Sequence, residues 1–99
     1  MEFVVSEKDG PHGILLIITD ENILNQYFEE GKLQLDLKRK FYQGEQKSKK
    51  EVVLLIKRAQ HIHFTGKAAV ALAIELDLII SEKILYVQGV PHAETARGI

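Results

Sequence analysis

The chain has 99 residues, of which 45% are hydrophobic and 27% are charged, a composition typical of a folded globular protein. Its length favours one domain over residues 1–99. Cysteine is absent, which excludes a disulfide framework, a thiolate metal site and a cysteine nucleophile. The sequence shows neither a signal peptide nor an apolar run of membrane-spanning length, so we expect a cytoplasmic protein that does not contact membranes.

The first third of the chain predicts two strands and a helix. Apolar residues 3–5 and 14–19 flank strong turn chemistry and indicate a loose hairpin. Thr19 or Asp20 can cap a following helix, and Gly31 accepts the left-handed geometry with which such a helix ends. The apolar residues on one side of this predicted helix are Ile23, Leu24, Tyr27 and Phe28.

The middle of the chain predicts a strand and an amphipathic helix. Leucines at positions 33, 35 and 37 alternate with polar residues, the pattern of a strand with one face on the core. Ser48 and Glu51 have the spacing of a capping box, in which each side chain binds the backbone amide of the other residue. Apolar residues follow at helical spacing as far as Ala59, and basic residues give this helix a charged outer face.

The last third predicts a central helix and a final strand. Residues 60–66 are interpreted as a linker, with Thr65 as the cap of an alanine-rich helix over residues 67–80. Residues 84–88 have the β-branched and aromatic composition of a last strand. The predicted order is therefore β-β-α-β-α-α-β, an α+β fold in which helices pack against a sheet of about four strands. A doubly wound parallel sheet is the lesser possibility.

Positive charge is concentrated between Lys38 and Arg58. Eight basic and two acidic residues give this segment a local charge of +6, whereas five basic and twelve acidic residues leave −7 on the rest of the chain. Lysine and arginine neutralise phosphates and aromatic rings stack on unpaired bases, so we predict an RNA-binding surface. Its candidate residues are Lys38, Arg39, Lys40, Phe41, Tyr42, Lys47, Lys49, Lys50, Lys57 and Arg58. The alternative is a solvated helix face with two aromatic residues anchored in the core.

His61 and His63 form an H-x-H pair, and both rings would project to the same face of an extended segment. Such a pair can bind a metal ion when His12, His92 or a carboxylate supplies a third ligand. Two imidazoles without cysteines or a zinc-protease motif are a weak signal. We therefore interpret the pair as partly buried loop histidines and predict no metal site and no cofactor.

The segment GVPHAE, residues 89–94, follows the last predicted strand. Gly89 and Pro91 predict a stiff turn that presents His92, which is the candidate for a catalytic or ligand-binding side chain. A histidine in this place can equally tie a carboxy-terminal loop to backbone groups. The sequence names no reaction class, so both interpretations stay open.

Three stretches of the chain resemble an archaeal protein family. They are YFEEGKLQLDLKRKFYQGE, TGKAAVALAIELDLI and ILYVQGVPHAE, and the similarity extends over residues 14–94. The family is DUF424, whose members have no established activity. The resemblance implies a single-domain cytoplasmic protein and favours a role close to RNA or translation.

The family pattern falls on Gly31, Phe41, Tyr42, Gly44, Gly66, Gly89, Pro91 and His92. The chain departs from this pattern at two positions, with His63 in place of asparagine and Glu94 in place of glutamine. The first departure counts against a metal site at the H-x-H pair. The second puts a specific hydrogen-bonding role at position 94 in doubt.

Three functions are consistent with the sequence. The preferred one is a non-enzymatic module that binds RNA or a ribonucleoprotein through the basic segment. The second is a small-ligand binder or enzyme with a pocket around the GVPHAE turn, which would gather Gly89, His92 and His63. The third is a protein-interaction module for an acidic partner. The sequence leaves open whether the basic segment lies next to the turn or across the fold from it.

Overall fold

A computed structural model describes residues 2–97, which contain eight strands and two helices and form an α+β fold, as the sequence predicted. The strands are β1 (Phe3–Gly10), β2 (Gly13–Asp20), β3 (Tyr27–Glu30), β4 (Leu33–Asp36), β5 (Glu45–Lys47), β6 (His61–Thr65), β7 (Leu85–Val87) and β8 (Val90–Ala96). The helices are α1 (Lys49–Ile56) and α2 (Lys67–Glu75). Short 3₁₀ turns lie at Glu21–Ile23, Lys40–Tyr42 and Ser81–Lys83.

Six strands form one mixed sheet in the order β5-β1-β2-β6-β8-β7, and β3 and β4 form a separate two-stranded sheet. Within residues 2–97, β2 and β6 are the one parallel pair, and all other paired strands are antiparallel. The expected sheet of about four strands is therefore too small. The lesser possibility, a doubly wound parallel sheet, is wrong.

The helix predicted between Asp20 and Gly31 is wrong. The chain makes a 3₁₀ turn at Glu21–Ile23, takes a left-handed backbone at Asn25 (φ 69°), and then forms β3. The alternating leucines of β4 need a partner strand, and β3 supplies it across a turn that contains Gly31. Four apolar residues at helical spacing therefore do not form a helix here, because pairing of β3 with β4 is more favourable.

The segment interpreted as a linker is strand β6, near the middle of the large sheet. Ile62 and Phe64 are completely buried and alternate with His61 and His63. This is the period of two that a strand requires. Polar histidines at alternate positions made the segment look like a loop.

The segment GVPHAE is also largely a strand. Gln88 and Gly89 form a two-residue turn between β7 and β8, and both have positive φ angles, 50° and 79°. That geometry is a type I′ hairpin turn, in which glycine is favoured. Residues 84–88 therefore give the short edge strand β7, and the last strand in the chain is β8.

Both helices start as their local chemistry requires. The capping box of α1 is confirmed, because the Glu51 amide donates to Ser48 Oγ (3.3 Å) and the Ser48 amide donates to Glu51 Oε1 (2.9 Å). Asp20 caps α2 instead of the predicted helix after β2, and Thr65 is not the cap. The Asp20 carboxylate accepts bonds from the amides of Ala68 (2.9 Å) and Ala69 (2.8 Å).

Close packing against Asp20 also explains why a glycine, Gly66, lies at the start of α2. Gly66 has a φ of 110°, and a Cβ there would lie 2.3 Å from Asp20 Cγ. Burial raises the pKa of Asp20, although its two amide bonds act in the opposite direction. α2 ends at Glu75 rather than at residue 80, because Asp77 takes a left-handed backbone (φ 61°).

The two faces of the large sheet differ. Side chains of both helices pack with Leu16, Ile18, Ile62 and Phe64 in the main core, so we name this side the helix face. The 3₁₀ turn at Lys40–Tyr42 contacts the opposite side of β1 and β2. The small sheet packs nearby in a second cluster that includes Leu35, Leu37 and Val87. Within residues 2–97, no helix has the length and apolar character needed to span a membrane.

Candidate functional site

The candidate site is built from alternate residues of two neighbouring strands. His61 and His63 lie on β6, and His92 and Glu94 lie on β8. Residues two apart on a strand point to the same face, and the β6–β8 register places His63 directly opposite Glu94. The four side chains therefore share the side of the sheet that faces away from the helices. We name these four residues, with Thr65 opposite His92, the histidine face.

All three imidazoles of this face converge on the Glu94 carboxylate. The Nε2 atoms of His61 and His63 lie 3.5 Å and 3.6 Å from Glu94 Oε1. The Nε2 atom of His92 lies 3.3 Å from the other oxygen, Oε2. The side chains of His63 and His92 are 16% and 13% exposed, against 46% and 49% for His61 and Glu94. The cluster is thus buried on one side and open on the other.

A chain of hydrogen bonds fixes the orientation of His92. Its Nδ1 atom lies 2.8 Å from the hydroxyl of Thr65, which is completely buried. An ionised carboxylate only accepts hydrogen bonds, so we assign the proton of neutral His92 to Nε2, which donates to Glu94. Thr65 then donates its hydroxyl proton to Nδ1. Because Thr65 has no access to solvent, it positions His92 and cannot serve as a nucleophile.

Ring packing holds the remaining histidines. The rings of His61 and His63 stack with a centroid distance of 5.1 Å and an angle of 19°. The ring of Phe41 meets His63 edge-on at 5.2 Å, and Lys8 Nζ lies 5.9 Å from the Phe41 centroid. Phe41 therefore restricts the ring of His63. The imidazoles are held in place before any ligand binds.

The electrostatics of the cluster follow from burial and proximity. Burial lowers the pKa of His63, and the neighbouring His92 and His61 lower it further against the opposing effect of Glu94. Burial acts to raise the pKa of Glu94, but His63 and His92 outweigh it, so the pKa of this carboxyl lies below its ordinary value. Glu94 is consequently ionised and His63 neutral at neutral pH. These are the protonation states in which both residues can bind a cation.

Comparison with known proteins places the chain in a family. A sequence profile described as "Protein of unknown function (DUF424)" matches residues 7–97. The chain belongs to the DUF424 family. The resemblance seen in the sequence is thereby confirmed.

The fold of this DUF424 protein is similar to that of a protein of known structure. It is an uncharacterized conserved protein from Methanopyrus kandleri, an archaeon, with a TM-score of 0.78 and 16% sequence identity. The match covers 100% of this chain and 96% of that one. At this identity the likeness supports the fold alone. No curated protein matches the sequence significantly.

Of the turn residues predicted for this DUF424 protein, the structure brings only His92 into the cluster. Gly89 and Pro91 line a separate cavity of about 410 Å³ near the start of α2. The turn itself is tied down by the Gln88 amide, which donates to Glu30 Oε1 at 2.6 Å. This bond ties the turn to β3, and a ligand-binding role of Gly89 and Pro91 stays a prediction.

The basic segment does not form one continuous face. Residues 38–42 lie on the side of the histidine face, where Phe41 contacts His63. Helix α1, which carries the candidate RNA contacts Lys49 and Lys50, packs on the helix face. Four of the ten candidates also form ion pairs, namely Arg39 with Asp36, Lys47 with Glu45, Lys49 with Glu75 and Arg58 with Glu7. Binding of RNA by this DUF424 protein stays a prediction, and the candidate residues do not form one continuous basic surface for it.

Sequence reasoning missed the two residues that complete the site, Glu94 and Thr65. The signal was present as two three-residue motifs, H-x-H at residues 61–63 and H-x-E at residues 92–94. Each pair projects to one face only if its segment is a strand, and both segments had been interpreted as connections. Recognition of the two strands would have predicted the cluster in this DUF424 protein, although not the register that joins them.

Proposed function

We propose that this DUF424 protein binds a small ligand through the histidine face. The observation that carries the proposal is the convergence of His61, His63 and His92 on the single carboxylate of Glu94. This is the ligand-binder alternative from the sequence, moved from the GVPHAE turn to the surface of β6 and β8.

The composition of this surface supports a functional role. Partly buried titratable groups reduce stability unless they are paired, and apolar residues would fill the same positions at lower cost. His63 and Glu94 both have displaced pKa values, and such groups gathered in one place are typical of functional sites. The same strands place apolar side chains on their other face. The fold therefore does not require the polar residues of the histidine face.

The open side of the histidine face is accessible to a ligand, because the side chains of His61 and Glu94 are about half exposed. A groove of about 510 Å³ runs beside β8 and is lined by His92 and Glu94 together with apolar residues that include Ile80 and Leu85. Concave sites with a few convergent polar groups are the usual form of small-molecule sites. His92 is thus not packed away from every cavity, the arrangement that would have counted against this function.

Ligand-dependent thermal unfolding tests the proposal. A panel of divalent metal ions, inorganic phosphate, carboxylates and nucleotides is added to the wild type, to His63→Asn and to His12→Ala. His12 lies on the exposed β1–β2 turn, outside the cluster, and serves as the matched histidine control. A ligand at 100 times its Kd stabilises the protein by about 2.7 kcal/mol, which raises the Tm of a chain this size by roughly 10 °C or more.

We expect at least one ligand to raise the Tm of the wild type and of His12→Ala while leaving His63→Asn unchanged. If every ligand acts equally on all three proteins, or on none of them, the histidine face is not a ligand site.

RNA binding is the second candidate function. The observation that favours it is the position of Phe41, which lies between Lys8 and His63 and directly follows the basic residues 38–40. An unpaired base could stack on this ring while lysines contact the phosphates. The loop, rather than α1, would then provide the surface.

Filter binding with single-stranded RNA at several salt concentrations tests this candidate. Each phosphate contact on a single strand contributes about 0.7 to the slope of log K against log salt, so Lys38→Gln/Lys40→Gln should reduce the slope by about 1.4. Lys50→Gln/Lys57→Gln, in α1 and at its C-terminal cap, removes the same charge and should leave the slope unchanged. Absence of RNA binding at low salt would remove the candidate.

A further inference from the structure

We infer that the ligand of the histidine face is a divalent transition-metal ion of the zinc type, bound by His61 Nε2, His63 Nε2 and the Glu94 carboxylate. The inference rests on the proposed function and names the ligand of the same site. One donor atom from each of these three residues lies within 4.8 Å of the other two. The sequence alone predicted no metal here, because two imidazoles without cysteines or a zinc-protease motif are a weak signal.

Two of the three distances between ligand atoms match the edges of a coordination tetrahedron. Zinc binds imidazole nitrogen and carboxylate oxygen at about 2.0–2.2 Å, so two ligand atoms of a tetrahedral site lie about 3.3–3.6 Å apart. The two histidine nitrogens lie 3.5 Å and 3.6 Å from Glu94 Oε1. Octahedral ligands at the same bond length would be separated by about 3.0 Å, which is shorter than observed.

Direct hydrogen bonding explains these two contacts less well. An N–H group usually donates to oxygen at about 2.7–3.2 Å. The contacts of His61 and His63 with Glu94, at 3.5 Å and 3.6 Å, lie further beyond this range than the His92–Glu94 bond of 3.3 Å. Both nitrogens nevertheless approach the same oxygen atom. Two nitrogens that approach one oxygen beyond the usual hydrogen-bond distance favour an ion held by all three ligand atoms. Two imidazoles and a carboxylate select a transition metal over calcium or magnesium, which prefer oxygen ligands alone.

The residues around the three ligands form the second layer that metal sites need. His92 donates to Glu94 Oε2 and leaves Oε1 free on the side of His61 and His63. Thr65 fixes His92, and Phe41 packs against the ring of His63. Ligating carboxylates are commonly hydrogen-bonded in this way, and loss of such a partner costs roughly 10–100-fold in metal affinity. His92 is therefore a positioning residue in this arrangement and not a ligand.

Three protein ligands leave one tetrahedral position free. His61 and Glu94 are each about half exposed, with side-chain exposures of 46% and 49%, so the free position faces solvent. Structural zinc sites are closed by four protein ligands, whereas sites with three keep a position for water or substrate. The ion at this site would accordingly take a fourth ligand from solution.

Calorimetric titration with Zn²⁺ and visible absorption with Co²⁺ test the inference. We expect one ion per chain for the wild type, with the intense visible bands of four-coordinate Co²⁺. His63→Ala and Glu94→Gln should weaken binding by more than about 100-fold, and His92→Ala by roughly 10–100-fold. His12→Ala should bind like the wild type. Glu94→Gln preserves the shape of a half-exposed side chain, so it remains informative if His63→Ala does not fold.

The control variants separate the possible failures. Equal binding of Zn²⁺ by wild type, His63→Ala and Glu94→Gln, or no binding by the wild type, overturns the metal inference. If a non-metal ligand from the thermal unfolding panel still distinguishes the wild type from His63→Asn, the proposed function stands without the metal. If neither a metal nor another ligand distinguishes them, both proposals fail.

Discussion

The two faces of strands β6 and β8 are built from alternate residues of the same twelve positions and have different roles. On the helix face, Ile62, Phe64 and Ala93 are buried against the helices and hold the fold together. On the histidine face, the residues between them are titratable and partly open to solvent. Because strand residues alternate in direction, one short segment can carry the core and a polar cluster at once. Substitutions on one face should therefore affect stability, and those on the other should affect ligand binding.

The largest expected effect belongs to the helix face. Phe64→Ala removes a completely buried ring and should lower the free energy of unfolding by about 3–5 kcal/mol. His63→Ala, one position earlier and on the other face, should lower it by only about 1 kcal/mol. Urea unfolding followed by circular dichroism measures both. Equal losses for the two variants would show that the faces are not separate.

The next effect tests the attachment of α2 to the sheet. Asp20→Ala removes the acceptor of two amide hydrogen bonds and should cost about 1–2 kcal/mol of unfolding free energy. Asp20→Asn keeps one oxygen acceptor and should cost less. Urea unfolding gives the order of the two variants. Ligand binding at the histidine face should be unchanged in both, because Asp20 belongs to neither strand of the site.

A smaller effect concerns the pH dependence of stability. Burial lowers the pKa of folded His63 below its ordinary value of 6.5, so the unfolded chain binds more protons between these two values. The unfolding free energy should therefore fall as the pH drops below about 6.5 and stay constant above it, so far as His63 is concerned. His63→Asn should lose this part of the pH dependence. Unfolding curves between pH 5 and 8 compare the two proteins, and identical pH profiles would contradict the assignment.

The smallest effect is expected for the exposed lysines. Lys40→Gln and Lys57→Gln, one on each side of the large sheet, should change the unfolding free energy by no more than about 0.5 kcal/mol. Thermal unfolding measures both variants. A larger loss for Lys40→Gln would mean that the loop carrying Phe41 helps to hold the histidine face in place.

Local chemistry was predictable from the sequence, and pairing between distant segments was not. The capping box of Ser48 and Glu51 depends on residues three apart, and the structure contains it as predicted. The helix expected before Gly31 failed because strand β4 lies beyond it and supplies a pairing partner that a local pattern does not show. Strand β6 was missed because His61 and His63 interrupt its apolar residues.

The candidate site was predictable only in part, because it too depends on pairing between distant segments. His92 was identified from its own neighbourhood, and the H-x-H pair was noticed but set aside. Their common partner, Glu94, depends on the register between β6 and β8, which pairs His63 with Glu94 and Thr65 with His92. Register is set by turns and core packing elsewhere in the sheet, so no single stretch of sequence contains it.

Anomalous diffraction from crystals grown with zinc tests the central claim most directly. We expect one peak at the zinc absorption edge, about 2.0–2.2 Å from Nε2 of His61, Nε2 of His63 and an oxygen of Glu94. Data collected below the edge, where the peak should weaken, identify the element. A peak that lies only at His12, or density showing the three side chains in place with no ion between them, would contradict the account.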